Sequence, residues 1–138
     1  MTNNISPELL AAYSNTKFII YNPYIEIKVN TLNIELDKLL LDNKVQNWAF
    51  ITSQNPFSEI LSMEENTKFY NELKNYVSDF IFFEGEGIGE DENWAPEKSL
   101  LIIGLDEVQA IEIGKRFNQN AIVVGEINKP PVLKIIDY

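Results

Sequence analysis

The sequence predicts an α+β domain of α/β type: a single-layer mixed β-sheet of about six to seven strands with helices packed on it. Short apolar runs that suit strands alternate with segments of helical periodicity. Helical segments stand between strands, and this β-α-β order favours locally parallel pairing, whereas the hairpins favour antiparallel edges. No linker, repeat or low-complexity segment interrupts the 138 residues, so we expect one domain over residues 1–138.

Four helices are predicted from their caps. Ser6 offers a hydroxyl cap before a proline and an acidic residue. Ser62 and Glu65 form an S-x-x-E capping box, and Asn33 and Asp106 are expected to cap the other two helices. Caps included, the predicted helices cover residues 6–14, 33–41, 62–77 and 106–117.

Seven short runs are predicted as strands. Residues 24–29 alternate apolar and polar side chains, as a half-buried strand does, and the Asn22-Pro23 turn joins them to the preceding run as a β-hairpin. Residues 48–52 are typical of a central strand covered on both faces. The predicted strands cover residues 18–21, 24–29, 48–52, 80–83, 100–103, 121–124 and 132–136.

The composition excludes several classes of function. The chain has no cysteine and no histidine, which excludes thiolate nucleophiles, Ser-His-Asp triads and the usual zinc sites. The net charge of −10 disfavours nucleic acid and anionic membranes as partners. No run approaches the roughly 18 apolar residues of a membrane span, and no signal-peptide pattern begins the chain. We therefore expect a cytoplasmic protein without nucleic-acid or membrane contacts.

The most unusual stretch is residues 83–99, between two predicted strands. A loop of this length inside a compact domain is usually functional or disordered. Gly85, Gly87 and Gly89 follow a strand, as in phosphate-binding loops, but neither the helix nor the lysine that such a loop needs comes next. We therefore expect these glycines to adopt positive φ angles in a flexible, solvated hairpin tip.

Carboxylates crowd the same loop. Their oxygens suit Ca²⁺ or Mg²⁺, but their spacing does not match an EF-hand. A solvated acidic tip is the favoured interpretation, and we predict neither a metal site nor a cofactor. The residues concerned are Glu84, Glu86, Glu90, Asp91 and Glu92.

Trp94 and Glu97 stand where the chain re-enters the sheet. Trp94 either anchors the loop to the core or forms one wall of a ligand pocket, because its indole offers a stacking face and an N–H donor. Glu97 is expected to be partly enclosed, which would raise its pKa and make it the candidate catalytic acid or base. The structural alternative is an ion pair between Glu97 and Arg116 or Lys98.

Three uncharged polar residues stand at the ends of predicted elements. Thr52 and Asn55 follow the central strand, and ligands of open α/β sheets gather outside the carboxyl ends of strands. Gln119 closes the last helix. Turn capping is the alternative role for all three. The joint hypothesis is one polar-aromatic pocket lined by Thr52, Asn55, Trp94, Glu97 and Gln119.

Four segments occur in the order and spacing of a known family: AYSNTKF (12–18), AFITSQNPFS (49–58), FFEGEGIGEDENWAPEKSLLIIG (82–104) and GKRFNQNAIVVG (114–125). Together they resemble a bacterial family catalogued as domain of unknown function 3293. The resemblance covers about residues 11–125, and T-x-x-N-P-x-S and R-F-x-Q-x-A are among its most specific motifs. It implies no reaction, ligand or partner. It implies that these residues belong to the family's pattern: Asn55, Pro56, Gly87, Trp94, Glu97, Ser99 and Gln119.

Three functions remain open on the sequence. The favoured one is the binding of a polar small molecule, nucleotide- or base-like, with a neutral or cationic ligand preferred over a polyphosphate because the surface is acidic. The second is a histidine-independent hydrolase or transferase that uses Glu97 as acid or base. The third is an accessory or inhibitory factor whose acidic loop meets a basic protein partner. The sequence leaves the oligomeric state open.

Overall fold

The computed structural model describes residues 6–90 and 93–138, which form four helices, a 3₁₀ turn over Pro56–Ser58 and one sheet. The helices are α1 (Pro7–Ser14), α2 (Ile34–Asp42), α3 (Met63–Tyr76) and α4 (Glu107–Arg116). The strands are β1 (Lys17–Tyr21), β2 (Tyr24–Ile27), β3 (Asn47–Thr52), β4 (Ile81–Ile88), β5 (Glu97–Ile103), β6 (Ala121–Glu126) and β7 (Val132–Ile135). The predicted α+β class, with helices on a single sheet, is confirmed.

The four predicted caps are observed. Ser6, Asn33, Ser62 and Asp106 each accept a hydrogen bond from the backbone N–H three residues later. In α3 and α4 the third residue also bonds back to the cap backbone, which completes a capping box. Local side-chain chemistry therefore sets all four helix starts.

The seven strands lie in the order β2-β1-β4-β5-β3-β6-β7, and each of the six pairs is antiparallel. The expectation of locally parallel pairs is wrong. Strands β3 and β4 run in the same direction, but β5 lies between them and pairs with both. Strands β5 and β6 also run in the same direction, and β3 lies between them. The helical crossovers through α3 and α4 therefore each skip one position in the sheet, whereas the crossover through α2, from β2 to β3, passes over three strands.

Both faces of the sheet are covered by apolar side chains. On one face, called the α3–α4 face, Leu73 and Ile113 pack on side chains such as Ile51 and Ile102. On the other, the α2 face, Leu40 packs in a separate cluster that includes Phe50 and other strand residues. Successive residues of β3, β5 and β6 alternate between the two clusters, as side chains of a strand must. The prediction of a central strand covered on both faces is confirmed for β3.

The glycine-rich segment belongs to the sheet rather than to a loop. Strand β4 continues through Gly85 and Gly87, which pair with Ser99 and Glu97 of β5. None of Gly85, Gly87 and Gly89 has a positive φ angle, so the predicted positive φ angles and the hairpin tip at residues 85–88 are wrong. Because these glycines stand two residues apart, those in the strand face the same side of the sheet.

Two of the five carboxylates of the proposed acidic tip, Asp91 and Glu92, lie outside the described residues. Two other acidic residues of this stretch are held by tyrosines: Tyr70 Oη donates to Glu84 Oε1 at 2.8 Å, and Tyr21 Oη donates to Glu86 Oε1 at 2.9 Å.

Over residues 6–90 and 93–138, no helix has the length and apolar character needed to cross a membrane.

Candidate functional site

A cavity of about 430 Å³ opens between α1 and one end of the sheet; we call it the Glu97 cavity. Because neighbouring strands are antiparallel, this end collects the last residues of β3 and β4 together with the first residues of β1, β5 and β6. Its apolar part comes from the cluster on the α2 face, and α1 lines it from outside the sheet. The apolar residues shared by the cavity and that cluster are Phe18, Phe50, Val123 and Leu133.

The structure brings the five residues of the predicted pocket to this one cavity: Thr52, Asn55, Trp94, Glu97 and Gln119. Gly87 also lines it. Gly85 does not, because it is buried against the backbone of β1 near Ile19. Residues separated by up to 67 positions in the sequence therefore meet where strands β3 and β5 pair and α4 ends.

Glu97 is the half-buried charged group at the centre of this arrangement. Asn55 Nδ2 donates to Glu97 Oε2 at 2.6 Å, and the Trp94 side chain forms a second hydrogen bond with the carboxylate. Burial raises the pKa of Glu97 above its ordinary value, while the bonds from Asn55 and Trp94 partly offset that rise. The predicted enclosure and raised pKa of Glu97 thus have a defined physical cause.

The structural alternative for Glu97 was an ion pair with Arg116 or Lys98. Neither pair is among the salt bridges of the described residues. The Arg116 guanidinium lies 5.7 Å from the centre of the Tyr76 ring, and Lys98 Nζ lies 5.1 Å from the centre of the Tyr21 ring. Glu97 therefore has polar donors but no cationic partner among the described residues.

The raised pKa makes Glu97 a source of pH-dependent stability. A carboxyl whose pKa is raised by folding favours the folded state fully below its unfolded pKa of about 4.5, and this contribution is lost as pH rises through the folded pKa. We expect the free energy of unfolding of the wild type, minus that of Glu97→Gln, to fall as pH rises above about 4.5. Urea denaturation from pH 4 to pH 8 measures this difference.

The control for this series is Glu112→Gln, which removes an exposed carboxyl from α4 on the opposite face of the sheet. Subtracting a variant from the wild type cancels the titration of all other carboxyls. If both differences fall equally with pH, the trend does not belong to Glu97.

Asn55 holds the turn after β3 as well as Glu97. Its backbone is left-handed, with φ of +47°, a conformation that asparagine tolerates better than most residues. Its Oδ1 accepts hydrogen bonds from Leu61 N at 3.0 Å and from Asn66 Nδ2 at 2.9 Å. The side chain is therefore fixed on one side by the turn, with its Nδ2 directed at Glu97.

Thr52 and Gln119 differ in how their polar atoms are used. Thr52 Oγ1 donates to Lys98 O at 2.7 Å and accepts from Gln54 N at 3.1 Å, so the capping role considered for it is observed. Gln119 Nε2 donates to the carbonyls of Gln54 and Phe117, at 3.2 Å each. Within the described part of the chain, Gln119 Oε1 accepts no hydrogen bond. Because Gln119 lines the cavity, this oxygen is available as an acceptor for a ligand.

Two hydroxyl groups line the cavity but were not among the site residues predicted from the sequence. Tyr13 Oη, on α1, lies 3.5 Å from Ser58 Oγ, which accepts a 2.8 Å hydrogen bond from Asn120 Nδ2. Burial raises the pKa of Tyr13, and the charge of Glu97 raises it further. The motif T-x-x-N-P-x-S contains Ser58 and was the available signal for it; nothing local pointed to Tyr13.

The turn that carries Ser58 is strained. Phe57 and Ser58 have φ angles of +53° and +62°, beside Asn55 at +47°. Left-handed residues other than glycine cost free energy and concentrate at functional sites. Phe57 N donates to Asn118 O at 2.7 Å, and the Phe57 ring meets the Tyr138 ring edge-on at 5.2 Å. These contacts hold the strained turn against the cavity.

The charged side chains that line the cavity are all acidic. They are Glu8, Glu90 and Glu97; no lysine or arginine of the described residues is among the lining. Among those residues no three His, Cys, Asp or Glu side chains come together as a metal site. What the arrangement offers a ligand is a carboxylate, hydroxyl and amide groups, and aromatic rings.

A family model described as "Protein of unknown function (DUF3293)" matches residues 51–122, which is more than half of the chain. The matched region contains all five residues of the predicted pocket, whereas α1 lies before it. No curated protein and no solved structure matches the chain. The chain belongs to the family of proteins of unknown function designated DUF3293.

Proposed function

We propose that this domain binds a polar small molecule in the Glu97 cavity. The observation that carries the proposal is a cavity of about 430 Å³ that contains a half-buried carboxylate. Ligand sites commonly occupy about 300–1,000 Å³ and combine apolar walls with a few convergent polar groups. The cavity has both, because Phe18 and Phe50 line it together with Glu97 and Gln119.

The lining suggests how such a ligand is held. Glu97 accepts hydrogen bonds, Gln119 offers a free acceptor, and Trp94 and Tyr13 offer ring surfaces. A polyphosphate is disfavoured because it would enter beside three carboxylates without a counter-charge from the lining. Nucleobases and nucleosides without phosphate remain compatible with the polar and aromatic groups.

A thermal-shift screen tests the proposal. Nucleobases, nucleosides, sugars and amines are added to the wild-type chain and to the variants Trp94→Ala and Glu97→Gln. A compound present at 100 times its Kd stabilises the folded state by about 2.7 kcal/mol, and we expect at least one class to do so. Both variants are expected to lose most of that stabilisation, because they remove a wall of the cavity and its carboxylate.

The matched control is again Glu112→Gln, which should keep the full ligand-induced shift because Glu112 is exposed on the far face. Wild-type shifts that survive in both Trp94→Ala and Glu97→Gln would place the ligand elsewhere. A screen without any stabilising compound would count against small-molecule binding.

A hydrolase or transferase reaction is the second candidate, and one observation favours it. Glu97 has a raised pKa and shares the cavity with the hydroxyls of Tyr13 and Ser58. A carboxyl of raised pKa can exchange protons with a substrate near neutral pH. Chromatography of each stabilising compound after incubation separates the two functions, since an enzyme consumes its substrate and a binding domain returns its ligand unchanged.

A further inference from the structure

We infer that the ligand of the Glu97 cavity is an organic cation: a protonated amine or similar nitrogen base on an apolar body. The inference rests on the proposed function and specifies its ligand class. It comes from the charges, the hydrogen bonds and the aromatic groups of one cavity.

The first step is the sign of the lining charges. Glu97 is half-buried, whereas Glu8 and Glu90 are exposed, and no cationic side chain of the described residues joins them. The whole chain adds a net charge of −10, whose field attracts cations and repels anions. An anion would therefore meet repulsion both on approach and inside the cavity.

The second step is the unmatched charge of Glu97. Charged groups taken out of water are normally paired with an opposite charge or bound to a metal. Glu97 has only the neutral donors Asn55 and Trp94, and its raised pKa shows that they do not fully offset burial. A carboxylate has about four lone-pair sites for acceptance, so two donors leave room for the N–H groups of an ammonium.

The third step is the aromatic lining, which suits the rest of such a ligand. Tyr13 and Trp94 belong to the polar part of the cavity, and ring faces attract cations within about 6 Å. Phe18, Phe50 and Leu133 supply apolar contact for a hydrocarbon body. One half-buried carboxylate beside apolar walls fits a single positive charge at one end of the ligand.

The test uses compounds that share a body and differ in charge. Straight-chain amines of four to eight carbons, 2-phenylethylamine and tryptamine are each titrated beside the corresponding alcohol and carboxylate, with NMR shifts as the readout. We expect the best-bound body to bind at least about ten-fold more tightly as the amine than as the alcohol, with the carboxylate weakest. This comparison uses only the wild-type chain, so it does not depend on any variant folding.

The variant Glu97→Gln then identifies the group responsible. It should bring the affinity for the amine down to that for the alcohol and leave the affinity for the alcohol within about two-fold, while Glu112→Gln should change neither. Alcohols or carboxylates that bind as tightly as the amines would overturn the cation inference but retain small-molecule binding. If no compound of any charge binds, the cation inference fails, and the thermal-shift screen decides separately whether the cavity binds another polar molecule.

Discussion

Replacement of Gly85 by alanine is expected to lower the free energy of unfolding by about 3 kcal/mol or more. A Cβ at this position would lie 1.9 Å from Ile19 O and 2.9 Å from Ile19 C, both backbone atoms of β1. No rotamer change can relieve a contact between two backbones, so β1 and β4 would have to separate. Equilibrium denaturation in urea measures the loss, and a reduced melting temperature should accompany it.

Gly87→Ala is the matched control, two residues along the same strand and on the same side of the sheet. Its Cβ would meet the nearest atoms at 3.6 Å, on the Phe18 ring, which is ordinary van der Waals contact. We expect the free energy of unfolding to change by no more than about 1 kcal/mol. Equal losses in the two variants would show that backbone contact with β1 is not what requires glycine at position 85.

Gly85 and Gly87 are strand residues that their sequence does not mark as such. Glycine disfavours strands locally, so Gly85 and Gly87 favoured the prediction of a loop. In the structure they lie between two partner strands, and pairing with β1 and β5 overrides that local preference. The requirement for glycine comes from Ile19, which is 66 positions away. A contact of that separation leaves no local pattern.

Elements governed by neighbouring residues were predictable. The caps Ser6, Asn33, Ser62 and Asp106 act within three residues of themselves, and all are observed. Strand order follows from contacts across the whole chain, so the insertion of β5 between β3 and β4 could not be obtained from the β-α-β order alone. Local chemistry located the elements, and long-range packing arranged them.

The candidate site divides in the same way. Asn55, Trp94 and Glu97 stand next to apolar runs that are recognisable as strands, so the sequence alone places them at strand ends. Tyr13 reaches the cavity only because α1 lies against the end of the sheet, and it meets Ser58 across 45 positions. The strain at Ser58 is likewise a property of the folded turn, since serine by itself does not indicate a positive φ angle.

The second large effect is expected for Asn55→Asp, which should cost about 3 kcal/mol of folding free energy at pH 7. The change keeps the size of the side chain and the acceptor for Leu61 N, but it replaces the donor Nδ2 with a carboxylate oxygen 2.6 Å from Glu97 Oε2. Two carboxylates at that distance repel, so the pKa of the pair rises in the folded state. The loss should therefore shrink as pH falls from 7 to 4, because a shared proton restores one hydrogen bond.

A second substitution isolates the pair. In the double variant Asn55→Asp/Glu97→Gln the donor and the acceptor exchange places, which restores one charge-assisted hydrogen bond and a single negative charge. The free energy of unfolding of the double variant at pH 7 should lie within about 1 kcal/mol of that of Glu97→Gln alone. Asn55→Asp would then cost much less without Glu97 than with it, which shows that the two side chains are directly coupled. Asn71→Asp, at an exposed position of α3, should change stability by only about 0.5 kcal/mol. A loss in Asn55→Asp that is constant from pH 4 to pH 8 and is not rescued by Glu97→Gln would assign the role of Asn55 to the turn alone.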